Sequence, residues 1–227
     1  MITDLPLYVY IVFFMALIYS IYMFFLASQK DKKLLSAIIL IGVLQSILAI
    51  AGFYQKAEGI PPRISLGLFP LVFLIFTIPF VPSFRTWTKK FDLKMLTYLS
   101  LVRIPVEFVI LWVYLAGYAP ELMTFEGRNF DIISGITAGI VGFLAFNKNE
   151  LTRPKLLFAW NVMSLLLLLN IVINATLATP SAIQQFAFDQ PNLLIINFPT
   201  ILLPAIIVPL AMASHIISFV QLADLKK

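Results

Sequence analysis

The sequence contains no cysteine, which excludes disulfides, thiolate nucleophiles and cysteine-ligated metals. Histidine is nearly missing too. With His215 alone, neither a three-histidine zinc centre nor bis-histidine haem ligation can be built. No cofactor and no resident metal is expected. Charge is sparse at 12% of residues, against about 25% in soluble domains. No lysine lies deep in an apolar run, so a Schiff-base photoreceptor is excluded. No phosphate-binding glycine loop and no Gly-x-Ser-x-Gly elbow occurs.

What fills the chain instead is apolar. Hydrophobic residues make up 61% of its 227 positions, against about 45–50% in soluble domains. A bilayer core about 30 Å thick takes about 20 apolar residues in helix. Seven runs meet or approach that length: 6–27, 34–54, 64–82, 94–118, 131–147, 156–179 and 193–222. The first is too long for the apolar core of a signal peptide and has no basic stretch before it, so it reads as a span. The expectation is an all-α polytopic membrane protein, one seven-helix domain over residues 1–227.

The charges sort by loop. Lys30, Lys32, Lys33, Arg85, Lys89, Lys90, Lys94, Lys148, Arg153, Lys155, Lys226 and Lys227 fall on one side of this scheme. Lys56, Arg63 and Arg128 fall on the other, with Glu58, Glu121, Glu126 and Asp189. Basic loops stay cytoplasmic, so the N-terminus is expected outside and the C-terminus inside. The net charge of +5 is therefore a topology signal and not a nucleic-acid-binding face. Tyr8, Tyr10, Tyr114 and Tyr118 sit where an outer aromatic belt would lie, and Trp87 and Trp160 where an inner one would. The bilayer is the expected partner, in a bacterial inner membrane.

An internal repeat is suggested at an offset of 129 residues. Residues 43–49, VLQSILA, align with 172–178, VINATLA; Pro62, Phe69 and Pro70 align with Pro191, Phe198 and Pro199, and Gln55 with Gln184. This predicts parallel triplets, 6–82 and 131–222, joined by a linker helix at 94–118. The 3-1-3 layout resembles that of the sugar transporters called SWEETs and other PQ-loop proteins. The likeness is architectural alone, because the Pro-Gln pair of those proteins is missing here.

Polar residues inside apolar runs mark candidate sites. Arg103 and Glu107 lie mid-span in MLTYLSLVRIPVEFVILWVYL, four residues apart and so able to pair on one face. Charges there are costly and usually face the bundle interior. Pro105 between them removes a backbone donor and is expected to bend the helix. The amides Gln45, Asn170, Asn174 and Asn197 complete the expected substrate-binding set; interhelical packing is their plainer reading. Pro70 and Pro79, with Pro199, Pro204 and Pro209, are candidate hinges.

The segment PELMTFEGRNFD carries Glu121, Glu126, Arg128 and Asp131, an expected outer rim where Asn129 or Asp131 caps the next helix. Gly135, Gly139 and Gly142 suit close helix packing. His215, beside Ser214 and Ser218, reads as an interfacial structural residue. The leading functional expectation is a small-solute or ion transporter with a midplane polar site. The alternatives are a lipid-acting enzyme using the outer carboxylates and a non-catalytic membrane subunit.

Overall fold

The computed structural model describes residues 2, 4–56, 62–148 and 150–225, and Glu58, Lys226 and Lys227 lie outside that range. The chain is mostly helical. Its helices are α1 (Leu7–Ala27), α2 (Lys32–Ile50), α3 (Arg63–Thr77), α4 (Pro82–Thr88), α5 (Leu93–Leu99), α6 (Arg103–Leu115), α7 (Ile132–Ala145), α8 (Pro154–Leu177) and α9 (Val208–Asp224). A minimal hairpin, β1 (Phe146–Asn147) and β2 (Glu150–Leu151), links α7 to α8.

Local chemistry sets the starts. Asp31 accepts from the amides of Lys33 and Leu34 at the head of α2, and Asp92 from those of Lys94 and Met95 at the head of α5. Pro82 and Pro154 open α4 and α8, where a missing N–H costs nothing.

Among the described residues five helices are long and apolar enough to cross a membrane: Leu7–Ala27, Lys32–Ile50, Leu93–Leu115, Pro154–Leu177 and Leu203–Asp224. Their outward faces carry Ile11, Met15, Ile18, Leu40, Val43, Ile47, Leu166 and Ile173, all at least half exposed. A continuous apolar surface of that kind is rare on a soluble monomer, and it is compatible with a membrane location. The helix α9 is the opposite case, buried almost throughout and packed against α1, α3, α5 and α8.

The other two expected spans differ. The run 64–82 ends as a helix at Thr77 and turns by 86° into α4. Pro79 sits in the turn and Pro82 starts the new helix. The helix α7 has 14 residues, about 21 Å at 1.5 Å each, short of a 30 Å core. The run 193–222 opens with a 3-10 turn, Leu194–Ile196, and becomes a continuous helix only at Leu203, after the irregular stretch 197–202. Its first turn, Leu203–Ile207, is a π-helix. Pro209 has no N–H for the carbonyl of Ala205, which accounts for the widened turn. In the fourth run the bend takes the form of a 3-10 turn, Ser100–Val102, just ahead of Pro105.

The ends of the bundle are chemically distinct. Asp92 N–H donates to Ala27 O at 2.9 Å, Arg85 pairs with Asp224, Lys90 with Asp31, and Lys94 donates to the Lys148 carbonyl. These contacts gather the basic loops at one end. At the other, Tyr118 donates to Asp4, Leu193 N–H to Tyr118 O, and Asn170 Nδ2 to Arg128 O.

The aligned repeat positions stand in unlike surroundings. Phe69–Pro70 lies within α3, whereas Phe198–Pro199 lies in the irregular stretch before α9. Trp160 is no interfacial anchor. It is 5% exposed, and its indole N–H donates to Thr137 Oγ1 at 2.9 Å.

Candidate functional site

The site exists because α7 is short and starts deep. It runs antiparallel to α5 and α6: a Cβ on Gly135 would sit 2.8 Å from Ile104 Cγ1, and one on Gly142 2.6 Å from the Tyr98 ring. The residue four before Gly135 is Asp131, which therefore lies level with the middle of the Leu93–Leu115 helix. The loop before it folds inward, burying Met123, Thr124 and Asn129. Irregular backbone at such depth is tolerated when protein surrounds it.

Arg103 does not pair with Glu107. Its Nη1 donates to Asp131 Oδ1 at 2.6 Å and to Ser164 O at 3.2 Å. Its Nη2 lies 2.7 Å from His215 Nε2. A guanidinium can only donate, so Nε2 accepts and the imidazole is neutral with its proton on Nδ1. That proton faces Asn161 Oδ1 at 2.7 Å, and Asn161 Nδ2 donates to Leu157 O at 2.8 Å. Every role in this chain is mutually consistent. Trp160 closes the far side, edge-on to the His215 ring at 5.7 Å.

Glu107 takes a different partner. Asn129 Nδ2 lies 2.7 and 2.6 Å from its two oxygens and also donates to Met123 O at 2.9 Å. Asn129 Oδ1 accepts the Asp131 backbone N–H at 3.0 Å, which joins the two halves of the site. Among the described residues no cation forms an ion pair with Glu107. One guanidinium thus stands against two carboxylates. Counted with Glu107 ionised and His215 neutral, the site carries a net charge of −1.

A cavity of about 110 Å³ adjoins it, with Arg103, Glu107 and Asp131 in a wall otherwise formed by residues such as Phe69, Ile171 and Ile207. That is room for a few waters, an ion or a solute of a few atoms. Arg103 Nε and the hydroxyls of Ser100 and Ser164 are buried with no hydrogen-bond partner among the described residues, so those residues leave the centre incompletely satisfied.

The expected site residues therefore divide. Arg103, Glu107 and Asp131 come together. The amides stand elsewhere: Gln45 Nε2 donates to Gly67 O at 3.1 Å, and Asn197 Oδ1 accepts from Gln55 at 2.7 Å. Asn174 donates to Asn170 O at 2.9 Å. The outer rim loses Asp131, which is 4% exposed and held by Arg103, so its placement in a solvated rim is corrected. Glu121, Glu126 and Arg128 remain exposed. No group of three or more potential metal-ligating side chains occurs among the described residues.

Asn161 and Ser164 were not singled out in the sequence, and Asn129 only as a cap. A signal existed for Asn161. The buried face of α8 runs through Leu157, Asn161, Ser164, Leu168, Ile171 and Ala175, spaced by three and four. Asn170 and Asn174 share a face, but a half-buried one. His215 is fully buried and not interfacial.

These features define a class first: an all-helical protein with several apolar helices suited to a membrane and a buried ionic centre. The chain belongs to the family described as "Domain of unknown function (DUF8737)", which its residues 61–223 match. No curated protein and no solved structure matches it.

Proposed function

We propose that this chain crosses the bilayer seven times, N-terminus outside and C-terminus in the cytoplasm, and carries a small solute or ion through the Glu107 site. The count of seven takes α3, continued through its break into α4, and the short α7, completed by the buried loop before it, as spans. The alternation of basic and non-basic ends supports the orientation. In this reading the triplets flanking the Leu93–Leu115 helix form the two halves of a 3-1-3 carrier, with the site near midplane.

The observation that carries the proposal is the division of labour at the centre. Asp131 neutralises Arg103, and Glu107 faces a cavity with only an amide beside it. A net charge of −1 between apolar walls suits one proton or one small monovalent cation. Pro204, in the cavity wall, and the π turn around it provide a weak point in α9 for rearrangement.

Reconstituted vesicles test this, with H⁺, Na⁺, K⁺ and methylammonium as probes. Flux of at least one is expected for the native chain, loss of it in Glu107→Gln, and retention in Glu126→Gln. No flux of any of the four, or flux indifferent to Glu107→Gln, overturns the transport reading.

A second reading has its own support. The Arg103–Asp131–His215–Asn161 chain is bonded as a lock would be, which is what a non-catalytic membrane subunit needs. Loss of stability without any flux in the native chain favours it.

A further inference from the structure

A second cavity, of about 450 Å³, lies nearer the basic end and belongs to neither ionic partner of the site above. It is within the range of about 300–1,000 Å³ typical of ligand pockets. Its origin is the break in α3. The helices α2 and α3 meet where Gln45 reaches Gly67, and beyond that contact the chain turns off into α4. The space left between α2, α3 and α4 is floored by buried Ile38, Ile75 and Leu210 and flanked by exposed Ala37 and Leu74. It is lined almost wholly by apolar side chains, so a polar solute has nothing to bind there.

The mouth is different. Phe84 and Trp87 of α4 turn into the cavity, and Lys90 Nζ lies 5.2 Å from the Trp87 ring. Lys90 and Arg85 are taken by Asp31 and Asp224. Lys32, Lys33 and Lys89 are exposed, and among the described residues no carboxylate pairs with them. Lys33 precedes Leu34, and Lys89 follows Trp87 by two; Leu34 and Trp87 both line the cavity. A short helix with aromatics on one side and lysines beside them suits headgroup level.

We infer that this groove holds one anionic phospholipid, its acyl chain between α2 and α3 and its phosphate at Lys33 and Lys89. The charge at the mouth selects the headgroup, and the apolar interior selects the chain. Both come from the same molecule, which a free phosphate or a fatty alcohol would not satisfy together. The inference is independent of the Glu107 site.

The test uses lipids brominated on the acyl chain, which quench nearby tryptophan. The full chain is reconstituted with brominated phosphatidylglycerol or brominated phosphatidylcholine in otherwise unbrominated bilayers. The fluorescence component absent from Trp87→Phe is followed. Half-quenching is expected at a mole fraction roughly fivefold or more lower for the anionic lipid, the scale of one lysine contact. Lys33→Gln with Lys89→Gln should bring the two lipids together. Ala213→Phe, which fills the cavity, should remove quenching by both; Ala37→Phe on the lip serves if that variant does not fold. Equal half-quenching by the two lipids in the native chain, or quenching unchanged in a folded cavity-filled variant, overturns the inference.

Discussion

Removing the carboxylate of Asp131 should cost far more than removing a surface charge. Its Oδ1 is 2.6 Å from Arg103 Nη1, and the two side chains are 6% and 4% exposed. Asp131→Leu leaves the guanidinium buried without its ion-pair partner, hydrogen-bonded only to a neutral imidazole and the Ser164 carbonyl, while Glu107 stays engaged with Asn129. Breaking a buried pair from one side costs about 3–5 kcal/mol. Arg103→Met should cost a similar amount, since it strands Asp131 and removes the donor facing His215 Nε2. Replacing both with apolar residues removes both charges. What then remains is the Glu107 carboxylate, still held by Asn129, and the orphaned imidazole nitrogen, the latter worth about 1–3 kcal/mol. The double variant should therefore be more stable than either single one, with a coupling energy of at least about 2 kcal/mol. Unfolding in mixed micelles, followed by circular dichroism against the mole fraction of dodecyl sulfate, measures all four corners of the cycle. Single-variant losses below about 1 kcal/mol, or a double variant equal to the sum of the singles, would refute the argument.

Three further outcomes follow from other contacts. Gly135→Ala should destabilise by about 1–3 kcal/mol, because its new Cβ would meet Ile104 Cγ1 at 2.8 Å and the Ile104 backbone nitrogen at 3.1 Å. Gly139→Ala, whose nearest neighbour is 3.7 Å away, should be neutral or mildly stabilising in the same unfolding assay. At the basic end, the hydrogen bond from Lys90, followed by the α2 amides, holds the Asp31 carboxyl below its ordinary range. Its contribution is thus complete above the ordinary carboxylate range and fades as pH falls through the lowered value. The melting difference between the native chain and Asp31→Asn should be present at neutral pH and vanish in acid.

Much of the bundle is legible in the sequence because a membrane helix must satisfy its backbone internally and face lipid with apolar side chains. That constraint writes α1, α2 and α8 directly into long uncharged runs. The chain is harder to read where it is enclosed by other segments of the protein. The stretch 193–202 is as apolar as a helix, but it is packed inside and forms no more than the single 3-10 turn Leu194–Ile196 there. Asp131 shows the same limit from the polar side. A loop rich in Glu, Arg and Asp reads as solvated, and only the short α7 with its close approach at Gly135 reveals that its end reaches Arg103. Intrahelical spacing made Glu107 the obvious partner for Arg103. The tertiary contact won because Asp131 and His215 approach the guanidinium from two other helices.

The central claim is that Glu107 gives a reachable cavity a cation preference. The absence of native cysteine allows a direct test, since a single introduced thiol reports without background. Thr176, half-buried on α8, lines the cavity, and Thr176→Cys places that thiol beside the site. Its modification is timed with small methanethiosulfonates of positive and negative charge, in the native background and with Glu107→Gln. The account predicts faster reaction with the cationic reagent and collapse of that preference in Glu107→Gln. A Thr176→Cys thiol that stays unreactive while an exposed Glu126→Cys thiol reacts, or a charge preference that survives Glu107→Gln, would contradict it.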